Sequence, residues 1–397
     1  MIFPLIRLKT TRKSSHPWIF SKMVRRPEKR LQPGTLVEIR TREGRFAGRG
    51  FYHPFQTIAL RIISQHPDDI INEEFIFRRL EQARILREDV LQIQTDSDSY
   101  RLVHAEADQL SGIVIDKFAD VIVIEPFCAG VKTVGHWLVS GLRRLYPRAR
   151  IGFHVNSKLE EKEKISFKDL VEPYPLPQNA SILENGLNML VDFTSGHKTG
   201  YFLDQRENRL LVRKLAAGKT LFDLFCYTGG FALSALLGGA KQVKALDLDE
   251  KALHLAKKNA ALNHLPGEHQ SLEWIHMDVF DFLRSKIQEN ELADMVILDP
   301  AKLAGVKDEI PRAMKTYGDL NRLAVQTIKP GGILVSCSCS GLISEEVFKS
   351  IVTRSANEAN RTLQIFKISG AGPDHPVSTD FPEGKYLKVI YARVGMK

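Results

Sequence analysis

Cysteine is scarce in this chain. Its 397 residues hold four (Cys128, Cys226, Cys337 and Cys339), and no two form a C-x-x-C pair. That excludes a disulfide framework and a paired-thiol metal site, and no further ligands accompany Cys337 and Cys339. No apolar run is long enough to span a bilayer, and the N-terminus lacks the apolar stretch and small-residue cleavage site of a signal peptide. There is no G-x-G-x-x-G nucleotide fingerprint, internal repeat or low-complexity tract. The expectation is a reduced, cytoplasmic protein of two or three domains with no membrane segment.

What is abundant is positive charge, concentrated at one end. Residues 1–50 contain thirteen lysines and arginines against Glu28, Glu38 and Glu43, a net charge of +10, while the other 347 residues sum to −1. One basic end on a near-neutral body suits a polyanion, because counterions released on contact drive binding. Trp18, Phe20, Phe46, Phe51 and Tyr52 interleave with the basic residues along strand-like stretches at 35–40, 44–51 and 57–63. That mixture favours nucleic acid over a membrane surface or a merely solvated terminus.

Residues 1–70 read as short strands broken by turns at Pro33-Gly34, Glu43-Gly44 and His53-Pro54, which fits a small β-barrel. Helical spacing of Phe75, Phe77, Leu80, Ala83, Leu86 and Val90 places a helix over 72–91, opening a central α+β domain at 71–180. The charged stretch 158–174, ending in Pro173-Tyr174-Pro175, is expected to be a loop and linker. From about residue 183 strands and helices alternate. Strands are expected at 220–225, 242–246, 272–276, 295–298 and 332–335, with a closing antiparallel pair at 362–368 and 386–393. The fold class is therefore α/β, a doubly wound sheet at 181–397 following two smaller domains.

Chemistry-bearing residues gather at the ends of those strands, the edge where open α/β sheets bind ligands. Asp223-Leu224-Phe225-Cys226-Tyr227-Thr228-Gly229-Gly230 follows the first strand and leads into a helix. Gly229 permits close approach to the backbone, while Asp223 suits a cationic, amino-acid-like group rather than a phosphate. Asp247 ends the second strand, where an acid can accept ribose hydroxyls, and Asp278 after the third can meet an adenine amino group. Each alone would be an ordinary helix cap. Together they describe a site for S-adenosyl-L-methionine, with Phe225, Tyr227, Thr228 and Gly229 lining it.

Beyond the fourth and fifth strands lie Asp299-Pro300-Ala301-Lys302 and Ser336-Cys337-Ser338-Cys339-Ser340-Gly341. An acid beside a thiol is equipment for attacking an electron-poor ring such as a pyrimidine. The sequence resembles the bacterial large-subunit ribosomal RNA cytosine-5 methyltransferase I family. The likeness runs through residues 196–209, 225–231, 299–302, 338–342, 374–376 and 382–388. It implies an N-terminal PUA-like RNA-binding domain, a central domain and a Rossmann-like methyltransferase domain. The cofactor is then S-adenosyl-L-methionine, and the partner is 23S ribosomal RNA or a large-subunit assembly intermediate. The implied reaction is methylation of cytosine carbon 5 through a covalent cysteine adduct. The family pattern aligns Cys339, not Cys337, with the nucleophile, and matches Gln205 and Arg206 to positions lining the cofactor or RNA cleft. Ala301 departs from it, standing where a second proline is usual.

In that scheme the Cys339 thiolate adds to carbon 6, and Asp299 protonates or hydrogen-bonds N3. An ordinary thiol has a pKa near ~8.5, so electropositive help is needed, and Lys302 can supply it or contact a phosphate. Two other readings stay open. Methylation of an exocyclic base nitrogen would want an aromatic after Pro300 to stack a flipped base, which Ala301-Lys302-Leu303 does not supply. A non-catalytic RNA-binding or ribosome-assembly factor would have no use for Asp223, Asp247, Asp299 and Cys339 together. Oligomeric state is left open, a homodimer included.

Overall fold

The computed structural model describes residues 3–194, 200–265 and 271–397, so the motif residues 196–199 lie outside the described residues. The described residues fall into two compact units. The first lies within Met1–Leu183, Val191–Leu203 and Pro373–Gly384, the second within Glu184–Leu190, Asp204–Gly372 and Lys385–Lys397.

The first unit begins with β1 (Leu5–Arg7), β2 (Trp18–Phe20), β3 (Thr35–Arg40), β4 (Phe46–Tyr52) and β5 (Ile58–Ser64), one sheet in the order β1-β3-β4-β5-β2. Alternation turns Val37, Ile39, Ala47, Leu60 and Ile62 inward, where they meet Ile6, Leu8 and Ile19 in one buried cluster. An antiparallel bridge from Leu8 to Val24 joins the two edges and closes the sheet on itself. Eleven of the thirteen basic residues in this segment are exposed; only Arg40 and Arg49 are half-buried, both against Glu38.

Next comes α1 (Glu73–Arg84), capped by the Asn72 side chain, which accepts the Phe75 N–H at 2.9 Å. The helix expected over 72–91 does not continue as one α-helix. From Ile85 to Val90 it widens to a π-helical turn, closed by Leu91 N–H to Leu86 O at 2.9 Å. The turn carries Arg87, fully buried, whose guanidinium donates to the Asp108 carboxylate at 2.6 and 2.8 Å and to the Asp374 carbonyl at 2.9 Å. Breaking so buried a pair costs about 3–5 kcal/mol.

β6 (Ser99–His104), β7 (Ile113–Phe118) and β8 (Val121–Pro126) follow. After them come α2 (Gly130–Leu145), β9 (Arg150–Phe153), α3 (Ser157–Glu163) and α4 (Lys168–Val171). The stretch 158–174 is thus no linker. It carries α3 and α4, and Phe167 and Leu170 are fully buried in the cluster that α2 also faces. The packing is tight: a Cβ on Gly135 of α2 would lie 2.6 Å from Leu170. A hairpin of β10 (Asn179–Glu184) and β11 (Leu187–Asp192) comes next, turning on Asn185 (φ +49°) and Gly186 (φ +78°). Two positive φ values in a two-residue loop are what a type I′ turn requires.

The second unit is the doubly wound sheet. Its elements are α5 (Arg206–Leu215), β12 (Thr220–Leu224), α6 (Gly230–Leu237), β13 (Gln242–Asp247), α7 (Glu250–Leu262), β14 (Leu272–His276) and α8 (Val279–Gln288). They continue with β15 (Ala293–Leu298), α9 (Ile310–Gln326), β16 (Ile328–Ser338), α10 (Glu345–Glu358), β17 (Arg361–Ser369) and β18 (Lys388–Met396). The strand order is β14-β13-β12-β15-β16-β18-β17; β18 is antiparallel to both its neighbours and the other pairs are parallel. Strands buried on both faces read as continuous apolar runs, which is why these were visible in the sequence. Phe222 and Leu224 pack into the cluster formed with α8, α9 and α10, so alternation sends Leu221 and Asp223 to the opposite face. The strand order reverses between β12 and β15, which opens a crevice at their carboxyl ends. Among the described residues no helix is long and apolar enough to cross a membrane.

Candidate active site

The crevice is built from strand ends held level. Leu224 is in register with Leu298, and Leu298 with Ser336, so Asp223, Asp299 and the Cys337–Cys339 stretch reach one edge of the sheet.

After β12 the chain makes a strained turn. Phe225 (φ +68°) and Tyr227 (φ +49°) adopt left-handed backbone unusual for side-chain-bearing residues, and Gly229 (φ +87°) follows. The strain is held by neighbours. Cys226 N–H donates to Leu246 O at 3.0 Å, Tyr227 N–H to the Asp247 carboxylate at 2.8 Å, and the Asn259 side chain to Thr228 O at 3.1 Å. A Cβ on Gly229 would stand 2.7 Å from the Trp274 ring, so this glycine is required by space as well as by φ.

Asp223 is fully buried. One carboxylate oxygen accepts the Ala232 N–H of α6 at 2.9 Å, and the other, Oδ1, has no hydrogen-bond partner among the described residues. Burial, then the charges of Asp299 and Asp247, push its carboxyl up to about 8. An acid in this condition is completed by a cation. That orphaned oxygen fits the ammonium of an amino-acid-like ligand better than any phosphate. Asp247 shapes the turn through Tyr227 and Asp249, and each of its oxygens retains a second acceptor site. Asp278 caps α8, accepting from Phe280 at 2.8 Å and Asp281 at 3.3 Å.

Asp299 and Cys339 lie on adjoining loops. Cys339 is half-buried, its sulfur 3.9 Å from the carbonyl oxygen of Pro300, the residue after Asp299. The two loops are bolted together by Ser340. Its Oγ accepts from Leu303 and Ala304 N–H, both at 3.2 Å, and lies 3.1 Å from the Tyr317 hydroxyl. Cys337, by contrast, is buried inside β16, and burial with the nearby Asp299 charge pushes its thiol well above the ordinary range.

Two residues have neighbours that sequence reasoning did not assign. Gln205 donates its side-chain amide to Asp299 Oδ1 at 2.9 Å, and Asp299 N–H in turn donates to Leu224 O at 3.3 Å, just before the turn after β12. The Gln205 side-chain carbonyl accepts from Asn208 at 2.7 Å, and Asn208 is fixed in turn by Ser369 and Tyr391. Arg206, also buried, lies 3.3 Å from Glu207. Lys302 is exposed, its charge felt by Glu309. The amine near the thiol is Lys388, 2% exposed, donating to Ser340 O at 2.7 Å and Tyr386 O at 2.8 Å. Burial pulls its pKa down, opposed by the charge of Cys339, to about 8. Its signal in the sequence is a lone lysine leading an otherwise apolar strand, Lys388-Val389-Ile390-Tyr391-Ala392. Asp374 and His375, part of the resembling motif, belong to the first unit, where Asp374 accepts the Arg101 N–H at 2.9 Å.

A seven-stranded sheet of this order, with a buried acid below a strained strand-to-helix turn, is the fold of the S-adenosylmethionine-dependent methyltransferases. A family model of that description matches residues 166–377, and a PUA-like domain model matches residues 9–65. A solved structure from Streptococcus mutans, described as a candidate S-adenosylmethionine-dependent methyltransferase, superposes with a TM-score of 0.80 at 21% identity, covering 99% of this chain and 100% of that one. Curated relatives named ribosomal RNA large subunit methyltransferase I are 40% identical over 380 residues in Tolumonas auensis (95% of each chain). In Serratia proteamaculans the figure is 38% over 381 residues (96% of this chain, 95% of the relative). The chain belongs to the ribosomal RNA large subunit methyltransferase I family, and S-adenosylmethionine is its methyl donor.

Proposed function

We propose that this chain methylates carbon 5 of a cytosine in 23S ribosomal RNA through a covalent adduct on Cys339. The observation that carries this reading is the half-buried Cys339 sulfur, 3.9 Å from the carbonyl next to Asp299 and beside the buried amine of Lys388. Ribosomal RNA as substrate is supported by the names of the relatives, and the exposed basic residues of 1–50 are suited to hold it.

Carbon 5 of cytosine is a weak nucleophile until a group adds to carbon 6. The Cys339 thiolate forms that carbon–sulfur bond, while Asp299, oriented by Gln205, protonates or hydrogen-bonds N3 and stabilises the charge gathering on the ring. Bound S-adenosylmethionine supplies an electrophilic methyl to the carbon 5 made nucleophilic in this way. A base then takes the carbon-5 proton, the carbon–sulfur bond breaks and the thiolate returns. Lys388 favours the anionic sulfur at both ends of the cycle. Asp223 holds the donor's ammonium, Asp247 its ribose hydroxyls and Asp278 its adenine amino group, with Phe225, Tyr227, Thr228 and Gly229 around them. Methylation of an exocyclic nitrogen would leave the thiol without a task.

Cys339→Ala should lower methyl transfer by at least about a thousandfold while donor affinity stays within twofold of wild type. Mass mapping of 5-methylcytidine in 23S ribosomal RNA, with wild type, with the variant and with no enzyme, checks it. Wild-type methylation by Cys339→Ala would refute the covalent route, and a mark on another base would refute the assignment of the reaction.

A further inference from the structure

A cavity of about 140 Å³ opens in the first unit where β4, the loop after it and β5 meet the start of α2 and the end of α3. Its walls include Phe51, Tyr52, Ile58, Phe127, Gly130 and Lys162. The volume is close to the ~150 Å³ of an apolar cavity that holds one benzene ring. A volume of that size admits a single six-membered ring.

Two phenylalanines stand in solvent there. Phe127, a wall residue, is 46% exposed, and Phe55, whose ring centre is 6.1 Å from that of the wall residue His53, is 57% exposed. His53 links the two: it lines the cavity with Phe127 and sets its ring edge-on to Phe55. The rim is cationic. Lys162 is exposed, and the Lys164 ammonium lies 4.9 Å from the centre of the Phe55 ring.

The ionisable groups in the wall already have partners. Glu163 accepts the Ala129 N–H at 2.8 Å and lies 3.6 Å from His53 Nε2, which also faces Glu163 O at 2.9 Å. Arg61 pairs with Glu106 at 3.0 Å and lies over the Trp18 ring. Burial pushes the Cys128 thiol up to about 11, so it stays protonated. What remains on offer is a ring-sized slot, two aromatic faces and positive charge for a backbone. Stacking of bases on aromatic side chains beside a cationic track is how single strands are held with little regard to sequence.

We propose that this cavity and the rings of Phe55 and Phe127 form a stacking site for an unpaired RNA base other than the one methylated. The choice of RNA rests on the proposed function, but the site uses none of the methyl-transfer residues, so binding alone tests it. Full-length protein is titrated into a fluorescein-labelled uridine dodecamer and into an abasic ribose-phosphate dodecamer, and anisotropy is read at several salt concentrations. Phe55→Ala combined with Phe127→Ala should weaken uridine binding about tenfold, with the salt slope unchanged and abasic binding unchanged. Lys162→Gln with Lys164→Gln should instead flatten the salt slope by up to ~1.4 on both oligonucleotides. Both ring positions are on the surface, and an unaltered donor affinity certifies the fold. Unchanged uridine binding by the phenylalanine variant, or equal losses on both oligonucleotides, would overturn the stacking site. A protein that methylates no 23S RNA yet loses uridine binding with the two rings would sink the proposed function and leave this site standing.

Discussion

The basic N-terminal segment of the first unit and the sheet of the second use charge in opposite ways. In that segment, eleven of the thirteen basic residues within 1–50 are exposed and need nothing from the fold but a place on its surface. Their effect is a sum over many weak, salt-screened contacts. In the second unit, Asp223 and Lys388 are buried at strand ends, each held by backbone groups: Ala232 N–H for the acid, the carbonyls of Ser340 and Tyr386 for the amine. Such charges act by position, because in a dry site an interaction is strong and a misplaced group is costly. Deleting one buried charge should therefore outweigh deleting several exposed ones.

Asp223→Asn breaks the comparison most sharply. The amide keeps an acceptor for Ala232 but turns a donor toward the ammonium and removes the charge, which should weaken S-adenosylmethionine binding about a hundredfold at pH 8. The pH dependence has a defined sign. Without donor the Asp223 carboxyl, raised to about 8, is protonated below that pH, whereas the ammonium requires it ionised. Donor affinity should rise from pH 6 toward pH 8 by up to about tenfold per unit, and the asparagine variant should flatten the rise. Isothermal titration across that range measures both.

A smaller effect is expected at Lys388. Lys388→Met should slow both methyl transfer and iodoacetamide alkylation of Cys339 about tenfold at pH 7. Alkylation read by peptide mass spectrometry separates an electrostatic role from lost stability, which thermal melting reports. The smallest effect belongs to the exposed set. Changing Arg25, Arg26, Lys29 and Arg30 together to glutamine should weaken RNA binding only about fivefold at 0.15 M salt while lowering the salt slope by ~0.8. If the four exposed charges matter more than Asp223 or Lys388 in these assays, the contrast between the units fails.

The same contrast explains what could be read from the chain. Exposed charge is visible in composition, and two-sided strands are visible as apolar runs, so the basic segment and the parallel strands β12 to β16 were legible. So was the placement of Asp223, Asp247 and Asp299, because acids at the ends of such runs fall at the sheet's ligand edge. The stretch 158–174 was misjudged because its charges obscured two apolar anchors, Phe167 and Leu170, that hold α3 and α4 down. The β10–β11 hairpin has only a local signal, Asn185-Gly186, just ahead of the alternating strands and helices of the second unit. Gln205 and Lys388 were beyond local reading. Gln205 meets Asp299 across 94 residues of sequence, and Lys388 meets Ser340 across 48, contacts created by the strand order and by the antiparallel insertion of β18 beside β16. Lys302 drew attention by being close in sequence to Asp299, yet its side chain lies in solvent.

The central claim is that the Cys339 sulfur bonds to the base that is methylated. Fluorine at carbon 5 cannot leave as a proton, so a 5-fluorocytidine ring that has received its methyl keeps the carbon–sulfur bond. Incubating the enzyme and S-adenosylmethionine with 23S RNA transcribed from 5-fluorocytidine triphosphate should give a denaturation-resistant protein–RNA species. Peptide mass spectrometry should map the link to Cys339, and the Cys339→Ala protein should form none. An adduct on Cys226 or Cys337, or brisk methylation of ordinary RNA with no trapped species on the fluorinated one, would contradict it.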